Sequence, residues 1–165
     1  MTIVQSVLIT VITLIAILGV VLFVMLFALA RSEENLQPPD LGVKEGNLSP
    51  CPQTPNCIST QAPREAGTNY AEPIILEEEP ARVFEKVRRW IESEPQGRIA
   101  DVDDARYMRA EFRSKLFGFV DDLELLITRE EGRDVLHVRS AARVGKGDMG
   151  VNRKRYGTLR AVLGE

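Results

Sequence analysis

An α+β domain behind an N-terminal transmembrane helix is the fold class this sequence predicts, and three observations carry it. The first 30 residues hold no charged side chain. From residue 107 to 144, apolar and polar residues alternate with the period of two that marks a strand with one polar face. Flanking that region, around Val83 to Ile91 and again after Asp148, apolar residues recur at helical spacing. The expected architecture is an antiparallel sheet of about four to five strands with two helices on one face. The organisation follows as an anchor over 1–30, a linker over 31–50 and the α+β domain over 51–165.

The anchor is VLITVITLIAILGVVLFVMLFALA, Val7 to Ala30, interrupted only by Thr10, Thr13 and Gly19. Crossing a bilayer takes about 20 apolar residues. Ala28-Leu29-Ala30 also has the small-residue pattern of a signal cleavage site. Against cleavage, no Lys or Arg precedes the run, and the run exceeds the roughly 7 to 15 residues of a signal's apolar region. For orientation the flanking charges nearly tie, with the α-amino group on one side and Arg31 on the other. Residues 31–50, RSEENLQPPDLGVKEGNLSP, are polar and without apolar periodicity, and read as a spacer holding the domain off the bilayer.

The two cysteines, Cys51 and Cys57, lie in CPQTPNC. Prolines between them can curl the chain until the thiols meet, and a bridge would place the domain in an oxidising compartment. Free thiols are the alternative, and a metal site has little to build on, since no CxxC is present and the one histidine, His137, is far along the chain.

Ile74 to Leu76 reads as a short strand, and Glu79-Pro80 opens a helix whose inward residues are Val83, Phe84, Val87, Trp90 and Ile91. Arg98 to Val102 is a strand ended by Asp103 and Asp104. In Tyr107 to Arg113, Met108, Ala110 and Phe112 oppose Arg109, Glu111 and Arg113. In Val120 to Thr128, Leu123, Leu125 and Ile127 oppose Asp122 and Glu124. In Val135 to Val144, Leu136, Val138, Ala142 and Val144 oppose His137, Arg139 and Arg143, with Glu131-Gly132 as the preceding hairpin turn. Asp148 then caps a helix to about Leu163, with Met149, Asn152, Tyr156, Leu159 and Leu163 facing inward.

CPQTPNCIST (51–60), FGFVDDLE (117–124) and RSAARVGKGDMGVNRKR (139–155) together resemble the family known as domain of unknown function 1499. The resemblance covers roughly residues 49 to 163. Ala142 stands where the family pattern has a second serine, and the aromatic often found near Lys146 is missing. The resemblance implies no particular activity. It implies a small protein with a signal or membrane anchor, of bacterial or plastid type.

Candidate chemistry sits in two places. Asp122, Glu124 and His137 share a sheet face and are the residues a hydrolase would use; with no nucleophile placed beside His137, the plainer reading is cross-strand pairing with arginines. Asp121 falls on the apolar face and requires a basic or backbone partner, because a buried unpaired charge is costly. The second place is the C-terminal segment. Residues 31–138 carry a net charge of −8, while 139–165 carry +5. Arg139, Arg143, Lys146, Asp148, Asn152, Arg153 and Arg155 therefore make a candidate anion site around a glycine-rich loop and a helix N-terminus. Two competing readings are that these cations pair internally, and that Asn152 hydrogen-bonds the incoming loop.

No cofactor or metal is expected, and the overall charge of −3 without interleaved aromatics argues against nucleic acid. Whether the protein is an enzyme is not decided by these residues. They describe a binding or assembly module of the cell envelope, single-pass in the inner (cytoplasmic) membrane with its domain in the periplasm. Its expected partners are the membrane itself, an anionic small molecule or lipid headgroup, or an envelope protein. The rival is an envelope hydrolase.

Overall fold

The computed structural model describes residues 2–37, 39, 41–103 and 106–165. Met1, whose amino group entered the orientation argument, and Asp104, read as a turn residue, lie outside the described residues, as do Pro38 and Asp40 of the expected spacer.

Helix α1 runs from Ile3 to Ala30. Thr2 caps it, accepting from the Gln5 amide while the Gln5 side chain accepts from Thr2 N at 2.9 Å. The hydroxyls of Thr10 and Thr13 are satisfied inside the helix, donating to Ser6 O at 3.0 Å and Ile9 O at 2.9 Å, as crossing a bilayer would require. None of its most apolar window is buried by the rest of the chain, and its length and composition suffice to cross a membrane.

Beyond α1 come a single helical turn α2 (Glu33–Leu36) and a small hairpin, β1 (Val43–Lys44) with β2 (Asn47–Leu48). The domain proper has β3 (Cys57–Ser59), a 3-10 turn at Arg64–Asn69, β4 (Ile74–Ile75), α3 (Pro80–Ser93), β5 (Gly97–Asp103), β6 (Tyr107–Arg113), β7 (Val120–Glu130), β8 (Arg133–Ala142) and α4 (Val151–Leu163). Among the described residues the sheet has six strands in the order β3-β8-β7-β6-β5, with β4 beside β3 on the outer edge of β8, and every strand pairing there is antiparallel. This is the α+β sheet that the alternation predicts, with one strand more than expected. The extra strand, β3, is too short and too closely flanked by turn residues to show a period.

The β7–β8 turn needs positive φ at both central residues to match the strand twist. Glu131 (φ 47°) and Gly132 (φ 82°) supply it. Leu123, Leu125, Ile127, Leu136 and Val138 form the floor of the main core, roofed by Val83, Phe84, Val87, Trp90 and Ile91 of α3 and by Tyr156 and Leu159 of α4.

One expectation fails in α4. Met149, placed on the inward stripe, is fully exposed at 104 %. Met149 (φ 53°) and Gly150 (φ 77°) are both left-handed, so the helix begins only at Val151 and the periodicity must be counted from there. The N-cap position therefore falls to Gly150 and not to Asp148, although the Asp148 carboxylate, two residues upstream, still accepts from Gly150 N at 2.9 Å and Asn152 N at 2.8 Å in the first turn.

The segment 31–50 is also not a free spacer. Asn35 is completely buried, Leu48 packs with Tyr107 and Leu126, and β2 lies on β7. Polar composition concealed this, because the segment is held by hydrogen bonds to main-chain and charged groups more than by apolar burial.

Candidate functional site

The face of the sheet turned away from α3 and α4 carries Arg109 and Glu111 from β6, Asp122 and Glu124 from β7, and His137 and Arg139 from β8. The register sets Glu111 opposite Asp122, and Glu124 between Arg109 and Arg139. Strand alternation thus assembles a charged surface. What it does not reveal is that the surface is buried.

Arg143, just past β8, organises one half of it. Its Nε donates to Asp122 Oδ2 at 2.7 Å, and its Nη2 to Asp122 Oδ1 at 2.8 Å and Glu111 Oε1 at 2.6 Å. Its Nη1 donates to the main-chain carbonyls of Asn35 at 3.1 Å and Leu36 at 3.2 Å. Every N–H of the guanidinium is therefore used, which a buried arginine needs. Arg98 adds a bond to Glu111 Oε2 at 2.9 Å, and Arg109 lies 3.3 Å from Asp122. Burial works against ionisation of Glu111, but the hydrogen bonds from Arg98 and Arg143 outweigh it, and the carboxyl is held at about 2.

Glu124 organises the other half. It accepts from Arg139 Nη1 at 3.1 Å, the Tyr107 hydroxyl at 3.0 Å and the Gly42 amide at 2.9 Å. Burial first, and then the Glu124 carboxylate beside it, push the Tyr107 phenol above its usual value. Asp122 and Glu124 are 1 % and 0 % exposed.

The cover over this face is the segment after α1. Asn35 Nδ2 donates to Ala30 O at 2.7 Å and Gly118 O at 3.1 Å, while its Oδ1 accepts from Val120 N at 2.8 Å. One side chain thereby joins the end of α1, the β6–β7 loop and the start of β7. Together with the Arg143 bonds to α2, the Gly42 bond to Glu124 and Leu48 on Tyr107, it closes the polar face.

His137 lies farther along the same face. Its Nε2 is 2.6 Å from Glu130 Oε1 and its Nδ1 is 3.3 Å from Thr60 Oγ1. The hydrogen bond from His137 holds the Glu130 carboxyl below its usual value. A hydroxyl, an imidazole and a carboxylate in line invite a nucleophilic reading. Access is inverted, however. The carboxylate end is half exposed, while the Thr60 hydroxyl is buried and accepts from the Val138 amide at 2.9 Å. It ties the chain after β3 to β8.

On the opposite face, Asp121 has its basic partner: Arg155 Nη2 donates at 2.8 Å. Burial nonetheless pushes the Asp121 carboxyl up, against the pull of Arg155. Asn152 accepts from Ser140 Oγ at 2.6 Å and from Arg155, and donates to Asn56 O at 3.2 Å. Asn56 in turn donates to Gly145 O at 2.8 Å, so these two amides tie the disulfide loop to the glycine-rich loop.

The continuous basic patch expected around the start of the last helix does not form. Arg139 and Arg143 are buried on the polar face, Arg155 is folded against Asp121 on the other, and only Lys146, Arg153 and Lys154 remain exposed. Arg153 also holds Thr68 O and Tyr70 O, both at 2.7 Å. The helix N-terminus already carries the Asp148 carboxylate where an external anion would bind. The physical reason is the −8 of the preceding segment, which supplies acidic partners for three of these six cations, Arg139, Arg143 and Arg155.

Cys51 and Cys57 are bridged, with Cα atoms 5.7 Å apart. Beside the bridge lies a cleft of about 590 Å³ lined by Leu48, Pro50, Cys51, Ser59, Gln61 and Asn69 among others; Asp122, Glu124 and His137 are not on its wall. Among the described residues, no cluster of His, Cys, Asp or Glu is arranged to hold a metal ion.

Sequence reasoning missed Asn35, Gly42, Asn56 and Thr60. The first two carried no signal, being polar residues in a polar stretch, whereas Asn56 and Thr60 stood inside the CPQTPNCIST motif. A family model described as Protein of unknown function (DUF1499) matches residues 47–163. No curated protein matches the chain.

Proposed function

The chain belongs to the family described as Protein of unknown function (DUF1499), and from that premise we propose that it is a membrane-anchored envelope module for binding or assembly, not a hydrolase. The observation that supports this reading is the enclosure of the polar sheet face. The two carboxylates that a hydrolase would draw on there, Asp122 and Glu124, are shut off from solvent and paired with arginine. A catalytic group must reach its substrate within hydrogen-bond distance, and these cannot.

In this reading α1 is an uncleaved single-pass anchor in the inner membrane. The domain stands in the periplasm, where the Cys51–Cys57 bridge would persist. Contact with an anionic headgroup or small molecule falls to the exposed Lys146, Arg153 and Lys154. An envelope protein is the other partner the reading allows.

The test uses the intact protein purified in mild detergent. It is assayed against ester, phosphoester, glycoside and peptide substrates, alongside Asp122→Asn and Glu124→Gln. The reading predicts no turnover that either substitution removes, together with a stoichiometric co-purifying partner or lipid. Turnover abolished by one substitution, in a variant that stays folded, overturns it.

A further inference from the structure

The β6–β7 loop, residues 114–119, is ordered by its own hydrogen bonds. Ser114 N donates to Phe119 O at 2.8 Å, Gly118 N to Ser114 O at 3.0 Å, and Phe119 N to Ser114 Oγ at 3.0 Å. Although well ordered, it presents Leu116 at 75 % exposure beside an exposed Lys115. A lone exposed leucine is ordinary. This one is next to the anchor: the Phe117 ring is 5.9 Å from that of Phe23 in α1 and 5.8 Å from that of Phe119.

The depth of that contact follows from helix geometry. The 28 residues of α1 span about 42 Å at about 1.5 Å per residue, whereas the hydrocarbon core is about 30 Å thick. If all the excess projects on the domain side, Phe23 stands at the hydrocarbon boundary. With all of it on the other side, Phe23 lies about 10 Å beneath that boundary. In either case the loop meets lipid. The contact is also held in place, since Asn35 bonds both Ala30 O at the anchor's end and Gly118 O in the loop. Arg31 lies over the Phe27 ring at 4.8 Å, so two cations, Arg31 and Lys115, flank the aromatic cluster.

We propose that loop 114–119 is a second membrane element, which seats Leu116 and Phe117 at the boundary of acyl chains and headgroups of the protein's own bilayer, with Lys115 extended toward the phosphates. Aromatic and basic residues favour that level, the ring straddling apolar and wet regions and the lysine stem lying along the apolar side. The domain is thereby fixed flush against the membrane and does not swing on a tether. This rests on α1 remaining as an anchor, but not on the absence of catalysis: turnover in the assays above would leave it standing.

The experiment places a tryptophan at Leu116 (Leu116→Trp) in the full chain reconstituted into vesicles, and for comparison at Glu131 (Glu131→Trp) in the distal hairpin. The buried native Trp90 gives a constant background. Lipids brominated on their acyl chains quench only neighbouring indoles. Leu116→Trp is expected to emit to the blue of Glu131→Trp and to lose most of its added emission to brominated lipid at every lipid-to-protein ratio, while Glu131→Trp is unchanged. Red, unquenched emission from Leu116→Trp, equal to that at Glu131, overturns the proposal. So does blue emission that brominated lipid does not quench, since the loop is then covered by a second copy or another protein.

Discussion

The two faces of the sheet are both buried, but by different means. Under α3 and α4, Leu123, Leu125, Ile127, Leu136 and Val138 are packed by apolar residues distributed from Ile58 to Leu163. On the other side Glu111, Asp122, Glu124, Arg139 and Arg143 are sealed by a short polar strip directly following α1. Apolar burial is non-directional and tolerates some exchange of shape. The ionic face is directional, because each carboxylate and guanidinium must meet a specific partner or remain as an uncompensated buried charge. The comparison teaches that the helical face supplies the driving force for folding, while the ionic face dictates where the N-terminal helix α1 is fastened.

The sharpest way to test that division is to delete a single group on each face. Arg143→Ala leaves Glu111 and Asp122 without their shared partner and releases the carbonyls of α2. Breaking such a buried pair costs about 3 to 5 kcal/mol, against about 2 to 5 kcal/mol for Leu125→Ala in the apolar core. Denaturant unfolding of the full chain in detergent measures both. If Arg143→Ala costs under about 1 kcal/mol, in the range of an exposed ion pair, the polar face is not sealed.

Acid should attack one face and spare the other. Glu111, held at about 2 against an ordinary 4.5, is depressed in the folded state. Its contribution is fully present above about pH 4.5 and is lost as pH falls toward 2, amounting to about 3 kcal/mol. Stability measured across that window should fall, and the decline should be shallower in Glu111→Gln. Equal slopes in the two proteins would mean that Glu111 is solvated.

A smaller effect separates pairing from proximity. Charge reversal at Arg139 should be partly rescued by reversal at Glu124, with a coupling of about 0.5 to 3 kcal/mol. Rescue is incomplete because Tyr107 and Gly42 also donate to Glu124 and a basic residue there would face two donors. Strict additivity of single and double substitutions would separate the two residues.

The helical face was legible in the sequence because its information is periodic: the alternation in β6, β7 and β8 and the stripe in α3 place the core residue by residue. Half of the ionic face was legible for the same reason, since alternation brings Asp122 and Glu124 to the side of Arg139. Its closure was not. Asn35 and Gly42 act through one amide side chain and one main-chain N–H, and such contacts leave no pattern in a polar segment. The basic stretch misled in a related way. Arg139, Arg143 and Arg155 are neighbours in sequence, yet strand alternation and the delayed start of α4 at Val151 send them to opposite sides of the sheet.

The strip's role as a structural lid is tested most directly by amide hydrogen exchange on the full chain in bilayers, read at Gly42 and Val120. Gly42 donates to Glu124 and Val120 to Asn35, so both amides should be protected to a degree comparable with the interior of β7. Exchange of both at the rate of an unstructured chain, while the interior of β7 stays protected, would show that the residues after α1 are a free tether and that the ionic face is open.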